Sequence, residues 1–379
     1  MFHRTPHGVT TLALLILLAA TTGCLNSHRI KGPVHAAEGP AWVAAATSSG
    51  PAPIELTHRL LLIGDAGLYL ENDPTLKKLG EWSSDAANST VLFLGDNIYN
   101  EGLVDDDRER GEMILSQQLA ATSARKILIP GNHDWGLFKM RESSIENQQA
   151  FVAEWRDGKA EFAPRDGCMG PEMLTLNTGS PNRNITLIVL DPSPIVLNNP
   201  GLGCAGENDL TAHVAALDAL LAEHQDTWTI VASHYPLETG GPHGGLSYGS
   251  LIADGILNMI RFWGGSAGDT YDEGYAQWIA ATTEVMRKHQ PDLYAAGHDH
   301  NLQVLSGHDY AGTEVVSGAG AQERVSTVTD LPSTLFAHAA AGFIVIDFGI
   351  RDGNNVAVLR VIETEAEDAV FEMDLPASH

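Results

Sequence analysis

Apolar residues recur in short, dense runs through most of this chain. HRLLLIG (58–64), TVLFLG (90–95), KILIPG (126–131), ITLIVLD (185–191), WTIVASH (228–234) and DLYAAGH (292–298) are short enough for strands and largely apolar, as strands buried on both faces are. Helical spacing appears between several of them. In DLTAHVAALDALLAEH, Leu210, Val214, Leu217 and Leu221 fall on one face. Strands alternating with helices predict an α/β fold in which both sheet faces are covered. Beyond residue 300 the texture changes. NLQVLS, TEVVSG, GFIVIDF and VAVLRVI follow one another without a helix, as an antiparallel sheet requires. No internal repeat is visible. The pattern predicts one large domain over residues 58–365, then an acidic tail, 366–379, that frays.

The first residues carry another pattern. Val9 to Ala20 is a twelve-residue apolar core preceded by Arg4, with small residues running into Cys24. This reads as an export signal over residues 1–23, too short for a stable membrane span. The stretch T-T-G-C resembles the lipobox of bacterial lipoproteins, with Thr21 where Leu is usual. Lipid attachment at Cys24 is therefore expected, with cleavage elsewhere or a retained anchor as the alternatives. The implied location is the bacterial periplasm or cell surface, with contact to the membrane through that lipid. Residues 24–57, rich in Ala, Gly, Pro and Ser, read as a flexible tether with a reach of roughly 30 Å.

With Cys24 set aside, Cys168 and Cys204 remain as an even pair in an oxidising compartment. They are either a disulfide, worth ~4 kcal/mol in the chain-entropy model, or two unpaired small hydrophobes. Their place in the Gly-rich sequences DGCMG and GLGCAG favours the bridge. The net charge of −26 argues against nucleic acid or anionic lipid surfaces as partners, since either needs basic patches.

The apolar runs end in related chemistry: G-D-A-G (64–67), G-D-N-I-Y (95–99), G-N-H-D (131–134), S-H-Y-P (233–236) and G-H-D-H (297–300). Loops at the carboxyl ends of strands in open α/β sheets converge on one crevice, so residues far apart in sequence can meet there. Taken singly, each of these is an ordinary turn or hydrogen-bonding group. Together they supply the oxygen and nitrogen donors that first-row metals prefer.

The order GDxG, GDxxY, GNHD, xxxH, GHxH resembles the calcineurin-like metallophosphoesterases, and within them the purple acid phosphatases of the small tartrate-resistant type. The resemblance spans roughly residues 58–350 and extends to S-G-A-G (317–320) and N-L-Q (301–303). It implies a four-layer α-β-β-α sandwich with two mixed sheets. It also implies one metal held by Asp65, Asp96, Tyr99 and His300, and a second held by Asp96, Asn132, His234 and His298, with Asp96 bridging. His133 and His243 match the family's substrate-facing histidines. The implied reaction is hydrolysis of a small phosphate ester by a metal-activated hydroxide, in line at phosphorus.

Tyr99 chooses the metals within that resemblance. The wider superfamily reads D-x-H at its first motif, whereas Gly67 stands here in place of that His. Tyr99, three residues after the bridging Asp96, offers a phenolate instead. A phenol whose ordinary pKa is about 10 ionises at neutral pH only on a strongly Lewis-acidic ion. Two carboxylates, a phenolate and a bridging hydroxide would cancel a divalent pair and leave a ferric–divalent pair positive. The exchange therefore points to Fe(III) beside divalent Fe, Zn or Mn, against the bland reading in which Tyr99 packs under its loop. Asp134 either orients His133 or serves its turn. His213, His224, His308 and His338 read as solvated or locally satisfied. The 246–274 insertion, with apolar ILNMIRFW at its centre, reads as an extra helix, a lid or a membrane-facing patch.

The function expected is thus an exported phosphomonoesterase. Its rivals are a Mn or Zn dinuclear phosphodiesterase or nucleotidase, and a lipoprotein that binds metal or phosphate without turnover.

Overall fold

Alternation within single strands sets the layers. In β2 (Glu55–Ile63), Leu60 and Leu62 join one apolar cluster while Leu61 and Ile63 join another. The strand is buried on both faces, which is why its apolar run is unbroken. The computed structural model describes residues 33–35, 53–136, 139–176, 184–206, 208–244, 270 and 272–377. The export signal, Cys24 and nearly all of the 246–274 insertion lie outside them.

Two mixed sheets form. One has the order β15 (Phe371–Asp374), β14 (Asn354–Glu363), β13 (Gly342–Arg351), β2, β3 (Ser89–Phe93), β4 (Arg125–Leu128) and β5 (Ala160–Phe162). The other has the order β1 (Val34–His35), β12 (Thr334–His338), β10 (Leu302–Ser306), β11 (Thr313–Ser317), β9 (Leu293–Ala296), β8 (Trp228–Ser233), β7 (Ile185–Leu190) and β6 (Glu172–Leu176). Strands β2 to β5 run parallel, as do β7, β8, β9 and β11. The antiparallel members come mostly from the region after residue 300, where no helix intervenes.

The sheets face each other across Leu60, Leu62, Leu92 and Ile127 on one side and Leu187, Ile230, Leu293 and Val304 on the other. The outer face of the first is covered by α1 (Pro74–Trp82), α2 (Arg108–Ala120) and α3 (Glu142–Ala153), through residues such as Leu79, Leu115 and Val152. The second is covered by α4 (Ser193–Val196), α5 (Leu210–Glu223) and α6 (Glu273–His289). In α5, Leu217 and Leu221 are buried and Leu210 and Val214 pack at the margin, as their spacing predicts. The architecture is the four-layer α-β-β-α sandwich.

Two expectations need correction. The acidic tail does not fray. Phe371–Asp374 pairs antiparallel with β14, burying Phe371, Met373 and Leu375 against the core between the sheets. Glu372 and Asp374 point away to Arg360 and Arg351, at 2.7 and 2.8 Å. Acidity masked a period-two strand. Within the tether, Val34–His35 pairs with β12 and extends the second sheet. The Cys168–Cys204 disulfide is present. It joins loops whose Gly167 and Gly203 lie against the buried ring of Trp135, directly after the G-N-H-D turn.

Phe371→Ala is expected to lower stability by about 3–5 kcal/mol, the cost of emptying a buried aromatic site. Urea denaturation checks this; an unchanged midpoint would mean that the last strand carries no load.

Candidate metal centre

Asp65 and Asp96 lie just beyond the ends of the adjacent parallel strands β2 and β3. Both take left-handed backbone conformations, with φ of 61° and 52°, and so does His298 at 68°, just beyond β9. Few residues tolerate that region, and Asp and His tolerate it better than most. The two carboxylates are nearly inaccessible, at 0% and 2% exposure. Burial opposes ionisation of Asp96, but the His234 and His133 rings and the His133 amide outweigh it and hold its pKa below the usual carboxylate range.

The residues expected for the first metal meet around Asp65. Tyr99 Oη donates to Asp65 Oδ1 at 2.8 Å and lies 3.1 Å from His300 Nε2, which is 3.3 Å from Asp65 Oδ1. Asp65, Asp96 and His300 offer ligand atoms all within 4.8 Å of one another. The residues expected for the second metal meet around His234. Its Nε2 is 3.0 Å from both Asn132 Oδ1 and His298 Nδ1, and 3.5 Å from Asp96 Oδ1. Asp96 stands between the two groups.

The protons in this cluster are limited by the histidines' outer contacts. His234 Nδ1 meets the Leu94 carbonyl at 2.8 Å and His300 Nδ1 meets the Arg324 carbonyl at 3.0 Å, so each donates outward through Nδ1 and, in its neutral form, turns a bare Nε2 inward. Two carboxylates, an amide oxygen and two imidazole lone pairs thus face one another with few donors among them. Such a set suits cations, and these residues fit a metal pair.

The loops around Gly67 leave no room for a side chain. A Cβ on Gly67 would sit 2.4 Å from the Asp96 carbonyl oxygen, so the loops touch where the usual His would begin. The Gly67 carbonyl accepts from Tyr99 N at 2.9 Å, and the tyrosine ring fills the neighbouring space at 1% exposure. Burial, then the Asp65 and Asp96 charges, push the Tyr99 pKa well above its ordinary value. S-G-A-G closes the other side. Gly318 passes so near that a Cβ would meet the Asp299 carbonyl at 2.3 Å and Asp65 Oδ2 at 2.8 Å.

His133 and His243 reach different parts of the centre. His133 Nδ1 is bonded to the Asn100 carbonyl at 2.7 Å, leaving Nε2 3.9 Å from Asp96 Oδ2. The His243 ring stacks on His298 with centroids 4.0 Å apart. Asp134 does not touch His133 among the contacts described. It accepts from the Gly131, Asn97 and Ile98 amides at 2.8–3.2 Å, which makes it the clamp between two ligand loops. His213 is buried with Nδ1 on the Gly170 carbonyl, and His338 pairs with Glu363.

Four contributors are not among the residues that the sequence singles out. Asp299, inside G-H-D-H, accepts from Thr239 Oγ1 at 2.6 Å and from the His243 amide at 3.1 Å, fixing the His243 loop. Gln303 of N-L-Q joins it through Thr239 Oγ1 and the Gly240 amide. Glu314, a carboxyl in a fully buried strand, accepts from the Leu237 and Glu238 amides. A lone acid inside TEVVS was the available signal. Arg324 gave none, and its guanidinium lies 3.7 Å above the Tyr99 ring.

The model of the calcineurin-like phosphoesterase family matches residues 58–302, which carry every expected metal ligand together with His133 and His243. The chain belongs to that family. This metallophosphoesterase is 21% identical over 267 residues to purple acid phosphatase 4 of Arabidopsis thaliana, covering 69% of this chain and 68% of the relative. Among solved structures it is similar to GAP50, the anchor in the inner membrane complex of Plasmodium. That match has a TM-score of 0.57 at 16% identity, over 85% of this chain and 89% of the other. A calcineurin-like phosphoesterase, YfkN of Bacillus subtilis, matches at 13% identity with a TM-score of 0.34, over 85% and 91% of the two chains. The family and the acceptor cluster together make this a metal-dependent phosphoesterase.

Burial raises the Glu314 pKa from 4.5 to about 8. Between those values the folded metallophosphoesterase binds more protons than the unfolded chain, so stability falls as pH rises across the window. Glu314→Gln is expected to remove that slope, gaining on the order of 5 kcal/mol over wild type at pH 9 and little at pH 4. Urea denaturation at the two pH values checks it; parallel wild-type and variant profiles would refute it.

Proposed function

We propose that this metallophosphoesterase is an exported phosphatase hydrolysing small phosphate monoesters on a dinuclear centre of the purple acid phosphatase kind. Asp65, Asp96, Tyr99 and His300 would hold Fe(III), and Asp96, Asn132, His234 and His298 a divalent Fe, Zn or Mn ion. The observation that carries this reading is the closed space at Gly67 with the Tyr99 hydroxyl 2.8 Å from Asp65. A phenol raised by burial and by two carboxylates becomes a phenolate only against a strongly Lewis-acidic ion. When bound, a metal pair supplies an activated nucleophile and neutralises phosphoryl charge.

The chain's own residues do the rest. His133 has Nδ1 committed to the Asn100 carbonyl, so only Nε2 can face a substrate. Protonated there, it would donate to the departing ester oxygen. His243, held by Asp299 and stacked on His298, would contact the same ester. Export and the lipid on Cys24 belong to the proposal through the apolar Val9–Ala20 stretch and T-T-G-C.

One observation favours a second reading. Asp65, Asp96 and His300 bring their ligand atoms within 4.8 Å of one another without Tyr99, which suits a divalent Mn or Zn pair and a phosphodiesterase or nucleotidase. Colour separates the two. Purified, metal-loaded protein is expected to absorb visible light, to contain iron, and to lose the band in Tyr99→Phe. An active preparation that stays colourless after oxidation would leave the divalent reading. Binding without turnover is a third reading, to which the fold-level likeness to an anchor protein adds nothing about activity. His133→Ala is expected to cut kcat on an aryl monoester by roughly 10²–10⁴-fold while phosphate affinity changes little. Equal loss of both would remove its role as proton donor.

A further inference from the structure

On a chain of net charge −26, an anionic substrate needs local cations beyond bound metal. Three arginines approach Tyr99 or its loop. Arg110 reaches the Tyr99 carbonyl at 2.6 Å but is neutralised by Asp107, and Arg141 is neutralised by Glu101. Arg324 differs. Its Nε is buried without a partner, and among the described residues no carboxylate pairs with its guanidinium. The group lies over the Tyr99 ring, whose hydroxyl is hydrogen-bonded to Asp65 and adjoins His300. The same ring meets His133 edge-on, with centroids 4.6 Å apart.

The backbone fixes Arg324 there independently of its side chain. Its carbonyl accepts from His300 Nδ1, and the Ser326 amide donates to the His300 carbonyl at 2.7 Å. The turn Gln322–Arg324 is thus tied to one candidate ligand while its side chain covers another. A stacked guanidinium with unpaired N–H groups is poised to take an oxyanion, because its donors form a planar fork and no local acid competes.

The geometry points to Arg324 as a specificity residue that binds a non-bridging oxygen of a phosphate monoester beside the metal centre. This rests on the phosphomonoesterase reading above and deepens it. A diester has two non-bridging oxygens and one charge, which a metal pair can satisfy by itself. A monoester has a third such oxygen and a second charge. Arg324, over the Tyr99 face, answers that extra group and so favours monoesters over diesters.

The test compares the full-length, metal-loaded wild type with Arg324→Ala and Arg324→Lys. Two measurements are made: kcat/KM on an aryl phosphate monoester and on its methyl diester, and the affinity for inorganic phosphate by titration calorimetry. Arg324→Ala is expected to lower monoester kcat/KM and phosphate affinity by roughly 30-fold or more, with a several-fold smaller loss on the diester. Arg324→Lys recovers part of this, and added guanidinium ion restores monoester turnover to the Ala variant. Equal losses on both esters would reveal a structural role through Tyr99 and overturn the proposal, as would unchanged phosphate affinity. If Arg324→Ala fails to fold by thermal melting, the Lys variant decides by the same two ratios. Should the wild type hydrolyse neither ester, the phosphatase reading fails, and phosphate titration still decides whether Arg324 binds the anion.

Discussion

Two carboxylates forced together out of water are the constraint from which the rest of this structure follows. Asp65 and Asp96 end adjacent parallel strands, are almost wholly buried, and lie within 4.8 Å of a shared imidazole. Like charges so placed repel in a medium that screens poorly, and desolvation makes each alone unfavourable. The surrounding protein supplies imidazoles with outward-turned protons, an amide oxygen and a phenol. Its donors to the pair are the Tyr99 hydroxyl and the His298 amide on Asp65 and the His133 amide on Asp96. Cations entering the cluster would offset that repulsion, which gives the family's chemistry a physical origin in this chain.

Holding such a cluster in place falls to buried acids that are not expected ligands. Asp134 gathers amides from the loops of Asp96 and Asn132, while Asp299 ties the His243 loop to the turn that carries His298 and His300. Glu314 fixes the chain that leaves His234. Asp134 and Glu314 each satisfy two or more backbone donors, and Asp299 one amide and one hydroxyl, that would otherwise be buried and unpaired. The disulfide adds a further restraint where Trp135 supports the G-N-H-D turn. Ligand positions are thus set by the termini of two packed sheets, and the intervening loops are clamped.

Charge makes a second layer of the same problem. A strongly acidic chain repels anions at long range, and the arginines nearest the crevice are mostly spent on neighbouring acids. Arg324 stands apart because it stacks on an aromatic face. A guanidinium keeps its donors available when its partner is a π system in place of a carboxylate. Tyr99 therefore touches both halves of the site's electrostatics: its hydroxyl faces the carboxylates and its ring carries the cation.

What the sequence settled by itself was periodic or local. Unbroken apolar runs in β2, β3, β7 and β8 announce strands covered on both sides, and the polar residues after them announce the crevice, because both signals are carried by neighbours in the chain. The ligand candidates were legible for that reason, and so was the cysteine pair. The last strand was not, since Phe371 and Met373 alternate with acids whose arginine partners are distant. Only the tertiary structure decided that Gly67 leaves no room for a side chain, that Asp134 clamps loops, and that Arg324 lies over Tyr99. Each of these is a contact between segments far apart in sequence, and such a contact leaves no period in either segment to be read.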